Sequence, residues 1–423
     1  MRADWLPYEE ALERVLERCE RLDAVRRPID DALGLALAEE VTSRVDHPPW
    51  DNSAMDGFAV RAQDVRGASP DGPVTLPVTE DVPAGAFPTE PLRPGAAVKI
   101  MTGAPVPEGA TGVIRVEHTD GGTADRVEIR EASDAERNIR CRGEDVRVGQ
   151  RVLRGGEELT PSAIGILALT GHSEVEVVRP PVVAVLATGD ELAELEDVKE
   201  VIAGRKIMNS NSHALGAQLR TTGAEAVLLG IARDDPEEIA ARLEEGLRCD
   251  AIITSAGISV GEHDHVNRVL EEMGMDRVFW RVKVRPGSPI AFGLLASKPF
   301  WALPGNPVSA MVTFEAFLRP AMRKLAGHAR LSARSVARVA ERIVSVADLT
   351  HFLRVRLEHS ACDLPEARLT GHQGSGILSS MTAADALLIV PEGVERLDPG
   401  DVAETIPLRP AASSAWVATS HER

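Results

Sequence analysis

The spacing of apolar positions changes repeatedly along the chain, and each change predicts a different kind of structure. Leu12, Val15, Leu16, Cys19 and Leu22 recur at three- and four-residue steps behind Pro7, which predicts an amphipathic N-terminal helix. Leu33, Leu37 and Val41 stand four apart and predict a second helix over 29–42. From 47 to about 147 the pattern shortens: Val74, Leu76 and Val78, then Val98 and Ile100, then Val127 and Ile129 alternate between Pro-, Gly- and Asp-rich turns. That is the texture of a small β module. Thr160 followed by Pro161 opens a short helix that Gly171 closes.

Residues 181–327 alternate strand-like and helix-like runs. PVVAVLAT is continuously apolar, as a strand buried on both faces must be, and AEAVLLGI and AIITSAG read as further strands. Helical stretches begin at Ser210 and Ser212, at Asp235-Pro236 and at His265, and 307–325 reads as one long final helix. The alternation predicts a doubly wound parallel sheet. After Gly327 the β texture returns in VARVAERIVSV, FLRVRLEH and ALLIVPEG, and the small polar residues from Ala411 predict a frayed tail.

Composition narrows the function classes. The 423 residues carry 65 acidic and 47 basic side chains, a formal charge of −18. Such a chain repels nucleic acid and anionic membranes, so an anionic ligand needs a locally positive site. At roughly 150 residues per domain, about three or four domains are expected. Cys19, Cys141, Cys249 and Cys362 are too far apart for a CxxC pair or a metal site, and read as reduced thiols. The first twenty residues are too charged for a secretory signal, and no apolar run approaches the ~20 residues of a membrane span, so a cytoplasmic protein is expected.

Candidate chemistry gathers where strands of the sheet end. Thr188-Gly189-Asp190-Glu191 follows the first strand, Asp234-Asp235 the second, and Gly257-Ile258-Ser259-Val260-Gly261-Glu262-His263-Asp264 the third; Pro304-Gly305-Asn306-Pro307 precedes the last helix. In open α/β sheets that rim is where ligands bind. Gly257 and Gly261 let backbone N–H groups approach an anion, and Asn306 with Pro307 makes a second N-terminal helix site. Glu191, Asp234 and Asp264 supply carboxylates suited to Mg²⁺ held jointly with phosphate oxygens. Arg281, Lys283 and Arg285 alternate with valines, which puts three cations on one face of an extended segment. In the β module, Asp51-Asn52-Ser53-Ala54-Met55-Asp56-Gly57, Met101-Thr102-Gly103 and Gly143-Glu144-Asp145 are polar turns.

Seven ordered blocks then carry a resemblance. PPWDNSAMDGFAVR, KIMTGAPVPEGATGVIRVE, NIRCRGEDVRVG, LATGDEL, TSAGISVGEHD, VRPGSPIAFG and LPGNPVSAMVTFEAFLRP resemble the signature blocks of the MoeA-type molybdopterin molybdenumtransferases, shared with a domain of gephyrin. The resemblance implies a multidomain α+β and α/β chain: a doubly wound, MogA-like α/β domain, two small β-rich domains and an elongated mixed domain. Domain I would join 1–47 with 148–180, domain II would span 48–147, domain III 181–327 and domain IV, a β-barrel, 328–412, with a flexible tail over 413–423. It also implies a homodimer, with the adenylyltransferase and molybdoenzyme apoproteins as candidate protein partners.

The implied reaction is Mg²⁺-assisted insertion of molybdate into adenylated molybdopterin with release of AMP. By motif, Asp264, Glu191, Asp56, Thr102 and Asp145 would be catalytic, and Asp190, Glu191, Asp234 and Asp264 would bind metal. Substrate binding would fall to Asn52, Ser53, Thr188, Gly189, Gly257, Ser259, Gly261, Arg281, Arg285, Pro304, Asn306, Pro307, Arg354 and Ser380. Three positions depart from the family pattern. Ser288 stands where a lysine is usual, Ala256 where glycine is usual, and the Gly-Arg that precedes the HFLR segment is absent. Two other readings stay open: the related adenylyltransferase, which carries Gly-Gly-Thr-Gly where this chain has Ala256-Gly257-Ile258-Ser259, and a non-catalytic pterin-binding paralogue or scaffold.

Overall fold

The computed structural model describes residues 5–256, 265–358 and 363–409. The alternating region forms a six-stranded sheet in the spatial order Glu225–Ala232, Val182–Thr188, Ala251–Ser255, Lys298–Leu303, Ala291–Leu295, Asp276–Phe279. The first four strands run parallel. Ala291–Leu295 is antiparallel to both its neighbours, Lys298–Leu303 and Asp276–Phe279, which corrects the expectation of a wholly parallel sheet. Its direction follows from a two-residue hairpin to Lys298–Leu303: Ala296 and Ser297 both take positive φ, 50° and 66°, the backbone that lets antiparallel strands close tightly. Neither is a residue that favours that conformation, so the turn is silent in the sequence.

Helices cover both faces of the sheet. Ser210–Thr221 and Pro307–Thr313 pack Leu215, Leu219, Val308 and Val312 against Val183, Val185, Ile253 and Trp301. On the other face, Pro236–Gly246 and His265–Glu272 pack Ile239, Leu243, Val266 and Val269 against Ala184, Leu186, Ile252 and Ala302. Asp235 caps the first of these as its sequence predicts, accepting from the backbone N–H groups of Glu237 and Glu238 at 2.9 Å. The long final helix changes pitch midway: a buried π turn, Phe314–Leu318, separates Pro307–Thr313 from Arg319–Leu325. The N-terminal helix Tyr8–Glu17 lies against it, with the Tyr8 ring edge-on to Phe317 and to Phe352.

The predicted second helix does not form. Residues 29–42 make one short 3-10 turn, Ile29–Asp31, and a strand, Val41–Thr42. Gly34 at φ +80° ends any helical run, and Leu33 is exposed while Leu37 is fully buried, so the four-residue spacing marks no common face. Backbone pairing takes over instead. Ala24–Pro28 pairs antiparallel with Glu174–Val178, and Val41–Thr42 with Arg151–Leu153. The helix predicted after Thr160 does form, over Pro161–Leu169, with the Thr160 hydroxyl accepting from the Ala163 N–H.

The β module is a five-stranded sheet ordered Gly112–Arg115, Gly57–Val60, Ala97–Ile100, Val74–Val82, Arg126–Ile129. In the C-terminal region Thr350–Glu358, Glu366–Leu369, Ser335–Val339, Val402–Pro407 and Ala386–Val390 pair in sequence, and the last returns to the first, closing a barrel around Val339, Val355, Leu388 and Val390. The short strand Val284–Arg285 leaves the six-stranded sheet and joins this barrel beside Thr350 and His351. Among the described residues no helix is long and apolar enough to cross a membrane.

Candidate active site

The parallel strands deliver one group of predicted residues to a shared rim. Val182–Thr188 has Glu225–Ala232 on one side and Ala251–Ser255 on the other, all parallel, so the chain first winds to one side of it and then to the other. That is the switch point at which a crevice opens in such sheets. Thr188 and Gly189 are buried there, while Asp190, Glu191 and Asp234 are exposed. The Asp234 backbone N–H approaches Asp190 Oδ1 at 3.4 Å, so the first two loops meet. Gly189 has φ +140°, and a Cβ on it would lie 2.3 Å from Glu191 Oε2: the Glu191 carboxylate folds back over a position only glycine can fill.

The next two loops meet through a residue the sequence reading missed. Asn211, in the first turn of Ser210–Thr221, donates from Nδ2 to Ser255 Oγ at 2.7 Å and to the Gly305 carbonyl at 2.8 Å. It ties the end of the third parallel strand to the Pro304-Gly305-Asn306-Pro307 turn. The doubled asparagine in MNSN was its only signal, because Asn209 already serves as the cap. Asn306 occupies the N-cap position of the last helix, but its side chain makes no capping bond and remains exposed. Ala256 takes φ +77°, a left-handed backbone that explains why glycine suits this position. Gly257, Ser259, Gly261 and Asp264 lie outside the described residues.

In the β module, Asp56 Oδ1 accepts both the backbone N–H and the hydroxyl of Thr102, each at 2.7 Å, and these bonds hold its carboxyl below the usual carboxylate range. Ser53 is fully buried and spends its hydroxyl on the Met55 carbonyl. Asn52 is buried with no partner on Oδ1. Asp145 is exposed in a turn drawn close by Arg142, whose backbone N–H donates to Asp51 Oδ1 at 2.7 Å. Among the described residues no hydrogen bond or ion pair joins this group to Asp190, Glu191 or Asp234.

A third group surrounds a cavity of about 310 Å³ on the barrel, lined by Arg285, Arg342, His351, Arg354 and Gln373 among others. Arg354 is 1% exposed, and burial alone pushes its pKa down to about 10. It donates to Ser380 Oγ at 3.1 Å and to the Gly374 carbonyl at 3.1 Å, and no carboxylate pairs with it among the described residues. His351, also buried, accepts from the Val346 N–H; burial and the nearby Arg285 charge push its pKa down. Val282 and Val284 are fully buried, so Arg281, Lys283 and Arg285 do share the outward face. They nonetheless part company. Arg285 reaches the cavity, whereas Lys283 pairs with Glu392 at 2.7 Å and Arg281 lies over Trp5. Ser288 turns its hydroxyl onto the Val284 carbonyl.

Two kinds of ligand suit these groups. Asp190, Glu191 and Asp234 offer the hard oxygen donors that Mg²⁺ takes, together with phosphate oxygens and water. The buried, carboxylate-free guanidinium of Arg354 suits a small oxyanion.

The chain is similar to known proteins over nearly its whole length. Residues 6–171 match the MoeA N-terminal region (domain I and II), 184–324 a probable molybdopterin binding domain, and 336–408 the MoeA C-terminal region (domain IV). Molybdopterin molybdenumtransferase 2 of Mycobacterium tuberculosis is 39% identical over 381 residues, covering 88% of this chain and 92% of that protein. The molybdopterin molybdenumtransferase of Bacillus subtilis is 32% identical over 416 residues, covering 97% and 96%. The molybdopterin biosynthesis MoeA protein of Pyrococcus horikoshii superposes with a TM-score of 0.83 at 29% identity, covering 96% of this chain and all of that one. With relatives this similar over nearly its whole length, the chain belongs to the MoeA family of molybdopterin molybdenumtransferases.

Proposed function

We propose that this chain inserts molybdate into adenylated molybdopterin, releasing AMP, in the synthesis of the molybdenum cofactor. The observation that carries the reading is the Arg354 guanidinium: buried, unpaired with any carboxylate among the described residues, and facing a cavity that Arg285 also lines. A buried cation without a counter-charge costs stability, and an oxyanion such as molybdate supplies the missing charge. Ser380 orients the guanidinium: its hydroxyl accepts from Arg354 Nε and donates to the Ile377 carbonyl.

The adenylated pterin is assigned to the sheet rim. Thr188, Gly189, Pro304, Asn306 and Pro307, with Gly257, Ser259 and Gly261, would hold its phosphates and rings. Asp190, Glu191, Asp234 and Asp264 would hold Mg²⁺, which supplies charge neutralisation at the phosphate-phosphate link. The Asn211 bridge keeps two rim loops at a fixed separation, so the phosphates meet a preorganised surface. Asp56 stays ionised through the two Thr102 bonds and can accept a hydrogen bond from the pterin or position a water at the link being cleaved. Asp145, Asn52 and Ser53 would complete that wall.

As the family resemblance implies, the reading includes a cytoplasmic homodimer in which the module of one protomer faces the rim of its partner. The four-domain division at 47, 147, 180 and 327 belongs to the same reading. The deciding experiment gives the purified protein adenylated molybdopterin and Mg²⁺ with and without molybdate, and follows AMP. Molybdate-stimulated AMP release supports the transferase. Tight binding of the adenylated pterin with no release overturns it in favour of a non-catalytic paralogue.

A further inference from the structure

The barrel cavity has a third arginine in its wall, beside Arg285 and Arg354, whose role neither the sequence nor the family comparison assigns. Arg342 immediately precedes the strand Ile343–Val344, which pairs with Arg396–Leu397. Its Nε donates to Asp398 Oδ1 at 2.9 Å. The other oxygen of the same carboxylate, Oδ2, is held by Arg396 at 2.9 Å. Asp398 thus serves two arginines, and only Arg342 lines the cavity.

We propose that Arg342 is a switchable ligand of the oxyanion pocket, leaving Asp398 to bind the anion opposite Arg285 and Arg354. The argument is one of unequal costs. Arg342 is largely and Asp398 partly solvent-exposed, at 66% and 38%, and an ion pair of that kind contributes little to stability. When Arg342 leaves, Arg396 still neutralises Asp398, so no carboxylate is stranded. Inside the cavity the same guanidinium meets a doubly charged tetrahedral oxyanion beside the buried Arg354, in a less screened setting. Ser288 cannot contribute a charge there, and its hydroxyl is already engaged with Val284. His351 is held neutral by burial and by Arg285, which leaves Arg342 as the further permanent cation in the lining.

The inference rests on the reading of this cavity as the molybdate site, and the test separates the two. Binding of molybdate alone is measured by equilibrium dialysis on the full chain, for wild type, Arg342→Gln, Asp398→Asn, the double variant and Arg354→Met. Arg342→Gln is expected to raise the dissociation constant about tenfold, the effect of losing a hydrogen bond to a charged group. Asp398→Asn, which frees Arg342, is expected to lower it a few-fold, and that gain is expected to vanish in the double variant. Thermal unfolding of each variant checks that the barrel is intact. If Arg342→Gln binds as wild type does while Arg354→Met does not bind, Arg342 is no ligand and the cavity reading stands. If Arg354→Met also binds as wild type does, or wild type fails to bind, the cavity reading falls and the inference falls with it.

Discussion

Arg354 and Ser380 meet at 3.1 Å inside the barrel wall, each spending its polar atoms on the other or on backbone carbonyls: Arg354 on Gly374, Ser380 on Ile377. The pair is electrically unbalanced. A fold selected for stability alone has no reason to keep a guanidinium there, because an apolar side chain of similar volume would avoid the desolvation. The imbalance is what an anion-binding function would require, and stability and function therefore pull this position in opposite directions.

That conflict gives the first prediction. Arg354→Met is expected to stabilise the protein by about 1–2 kcal/mol while abolishing molybdate binding. Denaturant unfolding without ligand, beside dialysis with molybdate, measures both. A variant less stable than wild type would mean that the hydrogen bonds to Ser380 and Gly374 outweigh the buried charge.

Ala256 yields the second. Its φ of +77° costs an L residue roughly 1–2 kcal/mol, while glycine gives back part of that as unfolded-state entropy. Ala256→Gly should therefore stabilise the chain by about 0.5–1 kcal/mol, and Ala256→Val should destabilise it by more than that, as read by denaturant midpoints. The position faces Gly305, whose added Cβ would lie 3.3 Å from the Ala256 Cβ, so the larger side chain has little room to escape.

The third concerns pH. His328 is 6% exposed, and burial with the adjacent Arg323 pushes its pKa from 6.5 down to about 4, against a weaker pull from Glu158. The folded state therefore resists protonation while the unfolded state accepts it. Stability contributed by neutral His328 is complete above about pH 6.5, falls as pH drops towards 4, and levels off below that, a loss of roughly 3 kcal/mol at most. Unfolding of wild type and His328→Gln at several pH values checks this: the difference between them should change across that window and nowhere else.

How much of this was legible beforehand depended on whether the signal was local. Strands such as Val182–Thr188 were readable because burial on both faces leaves a continuous apolar run, and Asp235 or Thr160 announced helices because capping needs only neighbouring residues. The 29–42 segment misled because Leu33, Leu37 and Val41 imitate a helix period while Gly34 and strand pairing with distant residues decide the backbone. The hairpin at Ala296 and Ser297 uses residues that carry no turn preference. Thr188, Asp56 and Arg354 could be named because they sit inside local motifs; Asn211 and Arg342 could not, since each acts on chain segments far away in sequence that only the fold brings near.

The last prediction returns to the sheet rim. Gly189 cannot become alanine without moving the Glu191 carboxylate, because the added Cβ would sit 2.3 Å from Oε2 and 2.7 Å from Cδ, and the backbone at φ +140° is itself hostile to an L side chain. Gly189→Ala is expected to cost about 1–3 kcal/mol of stability from the strained backbone. The carboxylate it displaces is one of those assigned to Mg²⁺, so the variant should also need a higher Mg²⁺ concentration for half-maximal AMP release. Glu191→Gln separates the two effects: it keeps the backbone and the shape but removes the charge, so it should raise the Mg²⁺ requirement with the unfolding midpoint little changed. An unaltered Mg²⁺ dependence in both variants would remove Glu191 from the metal site and leave Asp190, Asp234 and Asp264 to hold the cation.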